Sequence, residues 1–233
     1  MFFDGAGGRM HYRIWRTREK IPDAVLVFLH GIGQSTVDYH RFGRAMNRHN
    51  IEVWGLDHPG HGLSEGDPHT LAPISVLVGN AELFLAVARA ARPDAPLMLA
   101  GHSLGAGVAL LALHAAGSDA RHVRRLVLTG TPSRDLIMRL PPPAVPTLLL
   151  HGAEDRIAPI VPIRHWSARS DITELHEFPD AGHDILHEPV YPEIHTRITT
   201  FLRHRPGRPT APAKFGGRTS TPPPSTPLTA RSS

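Results

Sequence analysis

Short apolar runs alternate with longer stretches of helical periodicity along residues 1–204 of the chain. Near-continuous apolar runs are typical of strands that are buried on both faces of a parallel sheet. Five such runs lie at 25–29, 51–56, 97–100, 126–128 and 147–150. Helical patterns lie at 36–49, 73–92, 104–116, 160–169 and 189–204. This alternation predicts an α/β fold with a doubly wound, mostly parallel sheet.

Two further segments extend the predicted sheet. Residues 9–16 alternate polar and apolar side chains after a glycine-rich turn at 5–8, which predicts an antiparallel hairpin at one edge. Residues 174–178 also have a strand-like pattern. In sheets of this kind, ligands bind beyond the carboxyl ends of the strands. The residues that follow each strand are therefore the candidates for chemistry.

The composition excludes several classes of site. The chain has 233 residues and no Cys, so disulfides, cysteine-ligated metal sites and thiol nucleophiles are excluded. This length is enough for a buried core without a metal or a disulfide. The sequence shows no uninterrupted apolar stretch of roughly 20 residues and no signal-peptide pattern. We therefore expect a cytoplasmic protein with no transmembrane segment.

The basic charge is concentrated at one end of the chain. Residues 205–233 contain five of the 25 Lys and Arg, seven Pro and no Asp or Glu. All 21 acidic residues lie in 1–204, which is close to neutral, so we expect no nucleic-acid partner. The composition predicts one catalytic domain at 1–204, followed by a disordered basic tail at 205–233 rich in Pro, Ser and Thr.

The clearest chemical motif is Gly-His-Ser-Leu-Gly at 101–105, between a predicted strand and a predicted helix. This is G-x-S-x-G in the strand–turn–helix context of a nucleophile elbow. Gly101 and Gly105 would let the strand and the helix approach each other without a Cβ clash. Ser103 is then the predicted nucleophile, with His102 as a supporting residue of the elbow.

A serine hydroxyl needs a base to take its proton, and an elbow of this type predicts the chain order Ser, acid, His. His183 follows the strand-like segment at 174–178 and is the predicted general base. Asp155 follows the apolar run at 147–150 and is the predicted orienting carboxylate. Glu154 and Asp135 are the alternatives for the acid.

The oxyanion of an acyl-transfer intermediate needs fixed hydrogen-bond donors. The backbone N–H of Leu104, directly after the nucleophile, is one predicted donor. The second is the N–H of Ile32, in the loop after the 25–29 run, where Gly31 allows close backbone approach. His30 and Gly31 are the predicted supports of that loop.

Two groups of residues have spacings that resemble metal sites. His187 lies four residues after His183, but the pair lacks a third ligand. Asp57, His58 and His61 lie close together, and we interpret their segment as a tight, hydrogen-bonded turn. We therefore predict no metal and no organic cofactor.

Together these motifs resemble the α/β-hydrolase superfamily, specifically the serine hydrolases grouped with monoacylglycerol lipases and lysophospholipases. The resemblance covers residues 1–204 and rests on Asp4-Gly5, His30-Gly31-Ile32-Gly33, the segments 57–64, 101–105 and 151–155, and Ala181-Gly182-His183. It implies a sheet of about eight strands, the Ser103–Asp155–His183 triad and no cofactor.

One departure from this group concerns the helical cap that its members insert between the sixth and seventh strands. Here residues 131–145 alone separate the two strands, with room for one short helix at 134–140 before three prolines. We therefore expect a minimal cap and a shallow acyl site.

The resemblance implies a serine carboxylic-ester hydrolase that acts on monoacylglycerols, lysophospholipids or simple acyl esters through an acyl-enzyme on Ser103. Transient contact with a lipid surface is compatible with this reading. Two alternatives stay open. The first is an acyltransferase or perhydrolase that uses the same triad. The second is a non-catalytic α/β-hydrolase-fold protein that serves in binding.

Overall fold

The computed structural model describes residues 1–115 and 119–203. The tail expected at 205–233 lies outside these residues, as do residues 116 and 204 at the ends of two predicted helices. Eight strands form one sheet: β1 (Phe2–Gly5), β2 (Gly8–Trp15), β3 (Ala24–Leu29), β4 (Ile51–Leu56), β5 (Leu97–His102), β6 (Val123–Thr129), β7 (Thr147–Gly152) and β8 (Thr173–Phe178).

The strand order in the sheet is β1-β2-β4-β3-β5-β6-β7-β8. Strand β2 pairs antiparallel with β1 and with β4, and the remaining pairs are parallel. The predicted hairpin edge and the predicted eight-stranded, mostly parallel sheet are confirmed. The parallel strands β3, β5, β6 and β7 all end at the same edge, which brings the loops that follow them together.

Within the described ranges, six helices flank the sheet: α1 (His40–Asn47), α2 (Ile74–Ala91), α3 (Leu104–His114), α4 (Asp135–Arg139), α5 (Ile160–Ser167) and α6 (Tyr191–Arg203). Short 3-10 turns lie at Thr36–Tyr39 and Asp119–His122. The helix predicted at 36–49 is therefore shorter and begins later. The Ser35 N–H donates to the Asp38 carboxylate at 2.8 Å, which closes a tight first turn before α1.

The sheet separates two layers of core because successive side chains of a strand point to opposite faces. In β3, Val25, Val27 and Leu29 pack in the layer that contains α2, α3 and α5. Leu26 and Phe28 pack in the layer that contains α1 and α6. Each of these side chains is almost fully buried, and burial of such a side chain contributes about 1.5–3 kcal/mol. The two layers hold the loop ends of the strands in fixed positions.

Of the helices in the described part of the chain, α2 alone is long and apolar enough to cross a membrane by composition. Its Leu77, Phe84 and Leu85 side chains have no exposed surface and pack in the core of this fold. The core helix of a globular fold passes the same test of length and composition as a membrane span. The cytoplasmic location expected from the sequence stays a prediction.

The connection between β6 and β7 contains one short helix, α4, close to its predicted position. Ile137 of α4 is buried and packs on α3 beside Gly107. Leu136 on the same helix is exposed. A single turn of helix therefore covers this part of the sheet edge.

Candidate active site

Ser103 occupies the turn between β5 and α3. Its backbone φ of +50° and ψ of −117° lie in a region that costs free energy for a residue with a side chain. Such a strained turn is the signature of a nucleophile elbow. It places the Ser103 side chain at the N-terminus of α3, where backbone N–H groups point outward and the helix dipole is positive.

The two glycines of the motif are required by close backbone contacts. A Cβ on Gly101 would collide with the backbone carbonyl of Gly105. A Cβ on Gly105 would collide with the backbone carbonyl of Leu29 at the end of β3. Only glycine therefore lets α3 begin directly against the ends of β3 and β5.

The structure brings Ser103, His183 and Asp155 together from three separate loops. Nε2 of His183 lies 2.8 Å from the Ser103 Oγ, and Nδ1 of His183 lies 2.7 Å from Oδ2 of Asp155. An ionised carboxylate can only accept hydrogen bonds, so we assign the ring hydrogen to Nδ1. Nε2 is then free to accept the hydrogen of the Ser103 hydroxyl.

Asp155 is 4% exposed and its carboxylate is fully hydrogen-bonded within the protein. The backbone N–H groups of Ile157 and Ala158 donate to Oδ1 at 2.9 and 2.8 Å. Burial alone would raise the pKa of Asp155, but contacts with His151 and His183 and the Ala158 N–H outweigh it. They hold the pKa of this carboxyl below its ordinary value. Asp155 is therefore ionised at neutral pH.

Neither alternative acid contacts His183. Glu154 is exposed beside Asp155, and its backbone N–H donates to the Ala181 carbonyl. Asp135 lies on α4 with 92% of its side chain exposed, and its carboxylate lies 3.5 Å from Arg139. Of the three acids considered from the sequence, the structure places Asp155 alone against the imidazole.

The His30 loop, defined as residues 30–33, follows β3. Nδ1 of His30 donates to the Gly31 carbonyl at 2.7 Å, and its Nε2 accepts the His58 N–H at 3.0 Å. Burial lowers the pKa of His30 to about 4, so the ring stays neutral and keeps both contacts. Among the described residues no group accepts from the N–H of Ile32 or of Leu104. Both residues line the cavity beside Ser103.

The Asp57 turn, defined as residues 57–64, holds its carboxylate with protein donors. Oδ1 of Asp57 accepts the Thr36 N–H at 2.6 Å. Oδ2 lies 2.8 Å from Nδ1 of His11 and 3.2 Å from the donating N–H of Leu63. Within residues 1–115 and 119–203, no set of three His, Asp or Glu side chains is close enough to hold a metal ion.

His187 takes part in a second network rather than pairing with His183. Its Nδ1 lies 2.8 Å from Oδ1 of Asp184, and its Nε2 lies 3.0 Å from the Asp38 carbonyl. The hydrogen bond to Asp184 raises the pKa of His187 above its ordinary value. Oδ1 of Asp184 also lies 3.5 Å from Nε2 of His102, the residue before the nucleophile.

Three residues of the site were missed by sequence reasoning: Gln34, His151 and Asp184. Gln34 donates from Nε2 to Asp184 at 3.4 Å, and His151 lies against Asp155. Gln34 and Asp184 are separated by 150 positions, so no local pattern indicates their contact. The one available signal for Asp184 and His151 was their place in segments that already carried a predicted catalytic residue.

A cavity of about 360 Å³ opens beside Ser103 and His183. One side of it is formed by Leu104, Gly107 and Leu111, which share a face of α3. Among the described residues of its lining, Arg134 alone is permanently charged. The other lining residues are Ile32, Leu71, Ile74, Pro132, Ser133, Leu136, Ile137, Ile157 and Ala158. The cavity therefore offers mainly apolar surface next to the serine.

Comparisons with known proteins find relatives that are named as lipases. A monoacylglycerol lipase of Mycolicibacterium smegmatis is 33% identical over 107 residues, or 46% of this chain and 38% of the relative. A monoglyceride lipase of Rattus norvegicus is 28% identical over 106 residues, or 46% of this chain and 35% of the relative. The match thus spans less than half the length of these curated relatives.

Solved structures show the same fold. A soluble variant of monoglyceride lipase from Saccharomyces cerevisiae superposes with a TM-score of 0.74 at 14% identity, over 87% of this chain and 94% of that one. The profile of the Hydrolase_4 family, described as serine aminopeptidase S33, matches residues 20–138, about half of this sequence. The chain therefore belongs to the Hydrolase_4 (serine aminopeptidase, S33) family and has an α/β-hydrolase fold.

Proposed function

We propose that this chain is a serine hydrolase that cleaves carboxylic esters through an acyl-enzyme intermediate on Ser103. One observation carries the proposal: a continuous hydrogen-bonded line runs from the Ser103 Oγ through His183 to Asp155 beside an apolar cavity. The relatives named as monoacylglycerol and monoglyceride lipases support an ester as the substrate.

In the proposed reaction, Nε2 of His183 takes the Ser103 proton while Oγ attacks the ester carbonyl. The N–H groups of Ile32 and Leu104 stabilise the oxyanion that forms. His183 then gives the proton to the departing alcohol, and the acyl group stays on Ser103. Asp155 orients the ring and stabilises its protonated form.

The second half of the reaction repeats these steps with water as the nucleophile. His183 takes a proton from water, the water oxygen attacks the acyl carbonyl, and the proton returns to Ser103 as the acid leaves. Apart from the substrate and water, these steps use groups of this chain, and the proposal includes no metal or organic cofactor.

The family description names aminopeptidases, but the cavity favours an ester over a peptide. An aminopeptidase must hold the α-ammonium group of its substrate, which an acidic side chain does best. The described lining of the cavity contains no Asp or Glu, and its one permanent charge, on Arg134, is positive. A substrate ammonium group would therefore be repelled there.

The substrate classes we propose are monoacylglycerols, lysophospholipids and simple acyl esters. Five exposed apolar side chains lie in the lining of the cavity: Ile32, Leu71, Ile74, Leu136 and Ile157. Apolar groups around an open mouth suit an acyl chain and a transient contact with a lipid surface.

A fluorophosphonate probe tests the mechanism. We expect covalent labelling of the wild-type protein and none of Ser103→Ala, together with hydrolysis of p-nitrophenyl esters and no hydrolysis of aminoacyl p-nitroanilides. Absence of an adduct on folded wild-type protein would contradict the proposal and favour a binding role. Product analysis with an alcohol or a peroxide beside water separates hydrolysis from acyl transfer and perhydrolysis.

A further inference from the structure

The Asp57 turn supplies no group to the proposed reaction, yet it is hydrogen-bonded to both ends of the His30 loop. At one end, the backbone N–H of His58 donates to Nε2 of His30 at 3.0 Å. At the other end, the backbone N–H of Gly33 donates to Nε2 of His61 at 3.2 Å. The turn is therefore placed to fix the path of the loop.

The hydrogen position on His61 follows from its contacts. Nδ1 of His61 lies 3.0 Å from the Pro59 carbonyl oxygen, which can only accept. Nδ1 therefore carries the hydrogen, and Nε2 is left to accept the Gly33 N–H. The His61 ring also packs beside the buried His30 ring, with centroids 5.3 Å apart. These contacts hold His61 in one orientation.

On the other side of Ile32, the side chain of Gln34 binds the N–H group of Gly31. Its Oε1 accepts the Gly31 N–H at 2.9 Å and the Tyr39 hydroxyl at 2.6 Å. Tyr39 is 1% exposed, so it anchors the Gln34 amide from the interior of the protein. The Gly31 N–H is thereby occupied by an acceptor within the protein.

The three consecutive N–H groups of the loop therefore differ. Those of Gly31 and Gly33 are occupied by Gln34 and His61, and that of Ile32 lies between them with no acceptor in the described part of the chain. This alternation of occupied and unoccupied N–H groups depends on Gly33. Its φ of +74° lies in a region of backbone conformation that favours glycine. An oxyanion donor works best when it is oriented before charge develops.

We propose that His61 and Gln34 are positioning residues for the oxyanion hole: by binding the N–H groups on either side of Ile32, they leave the Ile32 N–H as the donor of this loop. This inference rests on the proposed serine-hydrolase function. It gives the Asp57 turn a role in transition-state stabilisation and assigns it no contact with the substrate.

The test compares His61→Leu, which removes the acceptor, with His61→Gln, whose Oε1 can accept the Gly33 N–H. Gln34→Leu provides a second, independent variant, and His69→Leu, an exposed histidine outside the Asp57 turn, is the control. Three quantities are measured: kcat and KM with p-nitrophenyl butyrate, and the inhibition constant of an alkylboronic acid. The boronic acid forms a tetrahedral anion on the serine and mimics the transition state.

We expect His61→Leu and Gln34→Leu each to lower kcat about 10-fold or more and to raise the inhibition constant of the boronic acid by a similar factor. The KM of each variant should stay within about 3-fold of wild type. His61→Gln should restore both quantities to within about 3-fold, and His69→Leu should match wild type.

Two results would overturn the inference. The first is unchanged boronic acid affinity in the folded Leu variants. The second is an equal loss in His61→Leu and His61→Gln, which would show that the ring packing matters and the acceptor does not. If His61→Leu fails to fold, the test rests on kcat and the boronic acid affinity of Gln34→Leu and His61→Gln. Unchanged affinity in Gln34→Leu, or a loss of about 10-fold in His61→Gln, would then overturn the inference. Failure of the proposed function itself looks different, because wild-type protein would then show neither labelling nor hydrolysis.

Discussion

Nε2 of His151 lies 3.2 Å from Oδ2 of Asp155, the same oxygen that contacts His183. Nε2 of His151 is also 2.7 Å from the Ala158 carbonyl oxygen, which accepts from it. His151 is fully buried, and its contacts with Asp155 and Ala158 stabilise the short turn that carries Asp155. With these contacts the carboxylate is held as an anion, which suits the orientation of an imidazole rather than acceptance of its proton.

Replacement of the nucleophile or the base tests the center of the proposed mechanism. Ser103→Ala and His183→Ala should each lower kcat/KM for p-nitrophenyl butyrate about 10³-fold or more, because the attacking group or its base is gone. The residual rate should reflect binding and oxyanion stabilisation alone. Near-wild-type turnover by either folded variant would exclude the proposed roles.

The identity of the acid can be tested with a matched pair of substitutions. Asp155→Asn should lower kcat/KM by about 10³-fold or more, since the amide no longer stabilises the protonated ring. Asp135→Asn removes an exposed carboxylate and should leave kcat/KM within about 2-fold of wild type. The opposite ranking of the two variants would mean that Asp135 is the acid.

The elbow glycine provides a prediction about folding and activity together. Gly105→Ala places a Cβ against the Leu29 carbonyl and should yield protein that is strongly destabilised or inactive. Gly79→Ala is the control, because Gly79 lies within α2 and a Cβ added there would meet open space. That substitution should stabilise the protein by about 0.5–1 kcal/mol in urea unfolding. A well-folded, fully active Gly105→Ala variant would show that the elbow can relax.

Buried histidines predict how stability depends on pH. Burial lowers the pKa of His30 and of His102 to about 4, whereas in an unfolded chain the group titrates near 6.5. Between about pH 6.5 and 4 the unfolded state therefore binds more protons than the folded state. The free energy of unfolding should fall as the pH is lowered through this range, by about 1.4 kcal/mol per pH unit for each histidine.

Urea unfolding at several pH values within that range measures the slope. His195 supplies the control, because burial also lowers its pKa to about 4 and it lies on α6, away from the proposed triad. His195→Leu should make the slope shallower without affecting kcat. A free energy of unfolding that stays constant over the range would contradict the assignment of these histidines as neutral in the folded state.

The cavity sets an expectation for acyl-chain length. Its volume of about 360 Å³ and its single covering helix, α4, leave limited apolar surface for an acyl chain. We expect kcat/KM on soluble esters to level off beyond roughly six to eight carbons, because further methylenes stay in water. Gly107→Val should lower kcat/KM for p-nitrophenyl octanoate more than for p-nitrophenyl acetate, since Gly107 lines the cavity. A steady rise to about twelve carbons would show that the cavity extends further.

The sheet and its loop ends could be predicted from the sequence because they depend on local pattern. The apolar runs at 25–29, 51–56 and 147–150 match β3, β4 and β7 closely. The His30 loop, the Asp57 turn and Asp155 follow these three strands in turn. The 3-10 turn before α1 was missed, since it depends on the hydrogen bond from the Ser35 N–H to the Asp38 carboxylate rather than on periodicity.

Contacts between different loops could not be predicted from the sequence pattern. Gly33 and His61 are 28 positions apart, and Gln34 and Asp184 are 150 apart. These residues meet because parallel strands end at one edge of the sheet, which is a property of the strand order rather than of either segment. The Asp57 turn was expected to be tightly hydrogen-bonded, and its link to the His30 loop became visible only in three dimensions.

The short connection between β6 and β7 leaves the sheet at the edge that carries Ser103 and re-enters it at the opposite edge, because the two strands are parallel. Lengthening a surface connection is inexpensive, with an entropic penalty of about 0.6 kcal/mol for each doubling of its length. Ser133 and Arg134, in the part of this connection that lines the cavity, are therefore a natural insertion point for a covering domain. A grafted domain there would change which molecules reach the serine while the strands that carry the chemistry stay as they are. Selectivity and reactivity are thus encoded in separable parts of this chain.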